Sequence, residues 1–240
     1  MRATQFEFEQ RFWIIGAIFW IGFSLAFADH TNMAIAVLRL FAAIGDEDSA
    51  RAFLLLRLMF AGGAALVFLA AWLRTWATAY LRTSVVHDMK QHSEALVADG
   101  PYRYVRNPLY LANLPLAAGV GLMASRLGWL FMVAAMWLFV YRLILREEDG
   151  LLASQGDSYR AYVAAVPRLW PSLTPRVASG GGAPRWGQAV AGEIFVWLFG
   201  VGVLAFAFTL NFALTAAVFA SSLAIYFVAV AFVKRRSRRA

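Results

Sequence analysis

Residues 100–110 read Gly100-Pro-Tyr-Arg-Tyr-Val-Arg-Asn-Pro-Leu-Tyr110, and from Leu109 the chain turns apolar as far as Ser125. A second polar stretch, Arg146-Glu147-Glu148, ends the next apolar run, Gly128 to Leu145. Polar islands pressed against apolar segments of this length place the chain in a bilayer, and ionisable groups kept at a membrane boundary tend to hold a ligand or line a pathway. The expected fold is all-α, a polytopic membrane helical bundle.

Composition agrees. Of 240 residues, 61% are apolar and 15% charged, more apolar surface than a soluble domain can use. The absence of cysteine excludes disulfides, thiolate metal sites and a cysteine nucleophile. The net charge of +8 does not point to nucleic acid, because the bases sit at the ends of apolar segments rather than along a stripe. The first eleven residues mix Arg2 and Arg11 with Glu7 and Glu9, and the apolar run behind them lacks a cleavage signature, so it is expected to be a first anchor.

A membrane span needs on the order of 20 apolar residues, with about 17 as the lower end. Six segments qualify: Phe12 to Ala28, Phe53 to Leu73, Leu109 to Ser125, Gly128 to Leu145, Val190 to Leu210 and Phe212 to Val233. With the N-terminus inside, 18 of the 22 Lys and Arg residues fall on the cytoplasmic side, and the acidic run Asp46-Glu47-Asp48 falls outside. That asymmetry places both termini, and both polar islands, in the cytoplasm. Met33 to Ile44 is expected to form a short interfacial helix. Ser172 to Gly187, rich in Gly and Pro, reads as a flexible linker. The expected organisation is a four-span core (1–171), a linker (172–189), a C-terminal transmembrane hairpin (190–233) and a basic tail (234–240).

In the first island, Asn107-Pro108 looks like a helix start, with Asn as N-cap and Pro at the first helical position. Free backbone N–H groups there suit an anion. Tyr102, Tyr104 and Tyr110 supply aromatic faces, and Arg103 and Arg106 fixed cations. Single Arg and Tyr residues at a span end also serve as interface anchors. The concentration of all of them within residues 100–110 favours a site. The second island continues a helix past the boundary, ended by Gly156 and followed by Tyr159 and Tyr162; a solvated helix end with ion pairs is the other reading.

The first island resembles Gly-x-Tyr-x-x-x-Arg-His-Pro-x-Tyr-x-Gly, and the second a Glu-Glu-x-x-Leu motif running on to Val-Pro, of the isoprenylcysteine carboxyl methyltransferase and phospholipid methyltransferase family of membrane enzymes. The second motif is complete here in Glu147, Glu148, Leu151, Gly156, Tyr159, Tyr162, Val166 and Pro167. Coverage is about Val85 to Pro171. The resemblance implies an all-helical enzyme that binds S-adenosylmethionine (SAM) at the cytoplasmic ends of the last core helices, without a Rossmann domain. Consistent with that, Gly119/Gly121 and Gly200/Gly202 lie inside spans with no preceding strand.

The resemblance implies one wall of the SAM site from Tyr102, Arg106, Asn107, Pro108 and Tyr110. Glu147 and Glu148 make the other, with Arg146 on the cofactor carboxylate or the acceptor. His87, beside Asp88 and near His92, is the candidate to hold or remove a proton on the accepting group. Ligands at metal spacing are lacking, so no metal is expected. Two departures stand out: Asn107 replaces the family's usual His, and Ala112 its Gly. Asn keeps a donor and an acceptor but does not titrate near neutrality. The expected activity is SAM-dependent methyl transfer to a lipid or small lipophilic acceptor entering from the membrane, at the cytoplasmic face of a bacterial inner membrane. An NADPH-dependent sterol reductase-like enzyme is a rival, disfavoured because a 2′-phosphate would prefer bases where Glu147 and Glu148 stand. A non-catalytic protein keeping the fold is another.

Overall fold

The computed structural model describes residues 2–41, 49–88 and 98–237. Among them are eight α-helices and no strand: α1 (Gln5–Glu9), α2 (Arg11–Ser24), α3 (Met33–Leu40), α4 (Ala50–Asp88), α5 (Pro108–Gly121), α6 (Arg126–Ala165), α7 (Trp186–Thr209) and α8 (Phe212–Ser237). The acidic run 46–48 lies outside the described residues.

Three of these helices, α4 over Ala50–Leu81, α6 and α7, are long and apolar enough to cross a membrane. Of the other expected spans, α8 runs over 26 residues, whereas Arg11–Phe27 is a shorter apolar helix, and α5 has 14 residues, roughly 21 Å at 1.5 Å per residue, against a hydrocarbon core of about 30 Å. α5 stops at Gly121 because the chain turns there: the Met123 and Ala124 N–H groups bond back to Val120 and Gly121, and Ser125 caps α6 through Gly128 N–H at 3.2 Å.

Short as it is, α5 is the centre of the bundle. One face contributes Ala117 to a core made with α2 and α6; another contributes Ala112, Leu116 and Val120 to a core made with α4 and α7. Small residues let it approach α4 closely. A side chain on Gly63 would meet the Gly119 carbonyl at 2.9 Å, and one on Gly119 would run into the Gly63 carbonyl. Ala112 is fully buried in the α4/α7 face, so the methyl that replaces the family glycine is accommodated as core.

At the end of the bundle away from residues 100–110, α3 is latched to the α5–α6 turn. Asn32 caps α3 and donates toward the carbonyls of Leu122, Met123 and Ala124, while Asp29 receives Arg126 at 2.9 Å and Leu127 N–H at 3.0 Å. Those bonds and the Arg126 charge hold the Asp29 carboxyl well below the usual range.

At the opposite end, α7 begins at Trp186 and not at Val190, and the segment before it is tied down. Arg103 Nε donates to the Val177 carbonyl (2.9 Å), Ser172 N–H to Tyr104 O (3.0 Å) and Arg176 N–H to Arg103 O (2.8 Å). Asp99 accepts from Ser179 Oγ and from Gly180 and Gly182 N–H. The linker is therefore a strap over the first island, its glycines supplying amides for a carboxylate.

Candidate functional site

The two islands meet on Glu148. Its side chain leaves α6 toward the start of α5 and is 7% exposed. Arg106 Nε reaches Glu148 Oε1 at 3.0 Å and Arg106 Nη2 reaches Oε2 at 3.4 Å, while Asn107 Nδ2 donates to Oε1 at 2.9 Å. Arg168 Nε closes the set at 2.9 Å from Oε2, its Nη1 resting on the Tyr141 hydroxyl at 3.1 Å. Charge-assisted bonds of this kind are the strong ones.

The same residues fasten the chain that follows α6. Gly156, at φ +57°, breaks the helix, a conformation glycine adopts without steric cost. The chain then returns over the first island. Arg106 Nη1 donates to the carbonyls of Val163 (2.6 Å) and Val166 (2.9 Å), and Arg106 N–H to Pro167 O (2.9 Å). Tyr162 OH donates to Tyr102 O at 2.7 Å, and Tyr159, Tyr162 and Val166 make a small apolar core with Leu151 and Val177. The spacing of Tyr and Val-Pro after Glu148 is thus the spacing of a segment that folds back and locks.

Asn107 occupies the N-cap position of α5, with Pro108 behind it, but makes no side-chain cap bond. This corrects the expectation from sequence: the amide is drawn to Glu148 and to the Arg168 carbonyl (3.2 Å), because a buried carboxylate is the stronger acceptor.

Glu147, one residue earlier, points elsewhere, as a 100° step around a helix requires. It lies near Tyr110, close enough for its charge to act on the phenol. Tyr102 is buried, and burial with the Glu147 charge pushes its phenol well above its ordinary range; it is a neutral donor and acceptor. Glu147 also lines a cleft of about 710 Å³ between α1 and α6, with Arg146 on its own side and Arg2, Gln5, Phe8 and Glu9 facing them. The side chains of His87, Asp88 and His92 lie outside the described residues.

Sequence reasoning passed over three contributors. Arg168 directly follows the Val-Pro pair and was legible as a base within the motif region. Glu193, 8% exposed on α7, pairs with Arg74 on α4 (2.6 Å) and receives Thr78 Oγ1 (2.9 Å); Arg74 also reaches Asn113 on α5 (3.3 Å). A lone acid seven residues into an apolar helix was its signal. The α1 wall of the cleft had none, since five helical residues before an apolar run read only as a flank.

Comparison with known proteins bears on this arrangement. Residues 58–155 match the phospholipid methyltransferase family. Over 101 residues the chain is 30% identical to the cobalt-zinc-cadmium resistance protein CzcN of Cupriavidus metallidurans, covering 42% of this chain and 44% of that one. It is 28% identical over 101 residues to the nickel-cobalt-cadmium resistance protein NccN of Alcaligenes xylosoxydans xylosoxydans, with 42% and 44% covered. It is 32% identical over 90 residues to the protein-S-isoprenylcysteine O-methyltransferase of Schizosaccharomyces pombe, with 37% and 38% covered. The chain thus spans less than half the length of the curated relatives it matches. No solved structure matches. With three helices long and apolar enough to cross a membrane and both islands joined on Glu148, the chain is an integral membrane protein whose residues 58–155 match the phospholipid methyltransferase family.

Proposed function

We propose that this protein is a SAM-dependent methyltransferase acting on a lipid or small lipophilic acceptor at the cytoplasmic face of the membrane, with both termini on that side. The observation that carries the reading is the closure of residues 100–110 and 146–168 on Glu148, next to an open cleft lined by Arg146 and Glu147. Its volume, about 710 Å³, falls within the roughly 300–1,000 Å³ of small-molecule sites, and it presents both signs of charge, as a zwitterionic cofactor requires.

SAM supplies an electrophilic methyl on a sulfonium; the chain has to bind, align and exclude water. Tyr102, Arg106, Asn107, Pro108 and Tyr110 are assigned to the site from the first island, while the cleft itself is lined by residues of the N-terminal segment and α6. Glu147 accepts hydrogen bonds from the ligand's hydroxyl or amino groups, and Arg146 takes a carboxylate. Glu148, saturated by Arg106, Asn107 and Arg168, holds the two walls and the returning segment together, and Tyr102 beneath them keeps the floor neutral. His87 as the residue handling the acceptor's proton is a reading from sequence alone. The hairpin α7–α8 lies beyond the matched region, and the acceptor enters from the lipid between apolar helices.

Calorimetry on the detergent-solubilised protein with SAM and, separately, NADPH tests this. SAM is expected to bind, and Tyr110→Ala to weaken it by about ten- to a hundredfold, the equivalent of one lost charge-assisted hydrogen bond. Binding of NADPH in place of SAM would overturn the proposal.

A further inference from the structure

The N-terminal segment is fastened to α6 more firmly than a membrane flank needs. α1 has five residues, too few to be stable alone in water, and it persists here because its start is capped and tied to α6. Thr4 and Glu7 cap each other, Thr4 N–H to Glu7 Oε2 at 2.6 Å and Glu7 N–H to Thr4 Oγ1 at 3.2 Å. Glu7 then takes Arg142 Nη2 at 2.7 Å and 2.9 Å. Ala3 is buried and its N–H reaches the Arg142 carbonyl at 3.1 Å, while Arg2 pairs with Asp149.

These ties set Arg146. Its Nη1 donates to Ala3 O at 3.2 Å, and its guanidinium lies 5.7 Å from the centre of the Phe8 ring, within cation–π range. Across the cleft, Gln5 Nε2 donates to Glu9 Oε1 at 2.8 Å, so the Glu9 carboxylate is also held in place. A held guanidinium facing a held carboxylate across an open cleft is complementary to a group carrying both an ammonium and a carboxylate.

We propose that residues 2–9 form a wall of the cofactor site, in which Glu9, oriented by Gln5, takes the ammonium of the cofactor's amino-acid end while Ala3 and Phe8 aim Arg146 at its carboxylate. The inference rests on the reading of the protein as a SAM-binding methyltransferase. Glu9 binds the ligand; Gln5, Ala3 and Phe8 are positioning residues.

Two probes separate the inference from the reading beneath it. S-adenosylhomocysteine carries the amino-acid end, and 5′-methylthioadenosine keeps the nucleoside and thioether but lacks it. Binding of each is measured by calorimetry on the full chain and on Glu9→Gln and Glu9→Lys; Glu9 is exposed, so both variants should fold. Glu9→Gln is expected to weaken S-adenosylhomocysteine about tenfold, and Glu9→Lys more, with 5′-methylthioadenosine unchanged. Equal losses for both probes, or no loss for either, would overturn the placement. A parent protein that binds neither probe would refute the methyltransferase reading itself, and the inference with it.

Discussion

Glu148 and Glu193 are buried to the same degree, 7% and 8% exposed, and each is gripped by an arginine, but their charge balance differs. Glu148 faces two guanidiniums and an amide at the polar end of α6. Glu193 faces one guanidinium and one hydroxyl inside a helix long and apolar enough to cross a membrane. A pair that sums to zero suits a hydrocarbon setting, because isolated charge there is expensive. A cluster that sums to +1 belongs where water or an anion completes it. Glu193 also ties α7, outside the family-matched region, to Arg74 within it, so the hairpin is wired into the core and not merely leaning on it.

The largest expected effect comes from breaking the neutral pair. Glu193→Ala leaves Arg74 charged and unpaired by acid among α4, α5 and α7, and removing one partner of a buried pair typically costs about 3–5 kcal/mol. Thermal unfolding in detergent should fall accordingly, and Arg74→Met combined with Glu193→Met should recover most of the loss. If the single variant melts with the parent, the pair is a surface contact and the contrast with Glu148 collapses.

Glu148→Gln should cost less, about 1.5–3 kcal/mol for hydrogen bonds to a charged group. Arg106 keeps the Val163 and Val166 carbonyls after the change. The damage should be local: faster amide exchange over residues 162–168, with α4 and α7 unaffected. Loss of protection spreading into α7 would show that the two acids belong to one network.

A third acid sharpens the comparison because it lies outside both settings. Burial alone would raise the Asp99 carboxyl, but the bonds from Ser179, Gly182 and Gly180 and the Arg103 charge outweigh it and hold it low. A carboxyl lowered on folding adds stability that is fully present above its unfolded value of about 4 and is lost as pH falls through the folded one. Protection of the Gly180 and Gly182 amides, measured relative to their intrinsic exchange rates, should therefore fall on acidification below about pH 4, and Asp99→Asn should abolish the dependence. A pH-independent strap would mean that packing, and not Asp99, holds it.

How much of this was legible follows the kind of signal involved. Helices as long and apolar as α4 and α7 announce themselves by composition, and the two islands by dense motifs, because each is local in the chain. The short α5 and the strap were misread for one reason: their length and order are set by partners far away in sequence, such as Gly63 for α5 and Asp99 for Gly180. Arg74 and Glu193 are 119 residues apart, and only their oddity inside apolar helices hints at each other. The meeting on Glu148 lies between, since a resemblance placed both motifs in one site without saying which atoms touch.

Position 107 gives the smallest expected effect and the finest test of the Glu148 cluster. The Asn107 amide uses both its hydrogens, one on Glu148 and one on the Arg168 carbonyl. A neutral imidazole has a single N–H, so Asn107→His keeps one of those bonds and loses the other, a cost of about 0.5–1.5 kcal/mol. Protonation would restore the second donor, but Arg106 and Arg168 already crowd the carboxylate with positive charge, and a third cation is opposed. The variant should thus retain SAM affinity within a few-fold and show little pH dependence between about pH 6 and 8, around the ordinary histidine value, whereas Asn107→Leu loses both bonds and more affinity. A steep rise in stability of Asn107→His on acidification through that window would show that the cluster tolerates a further cation. Glu148 would then be short of positive charge, and the contrast with the neutral pair at Glu193 would have to be drawn the other way.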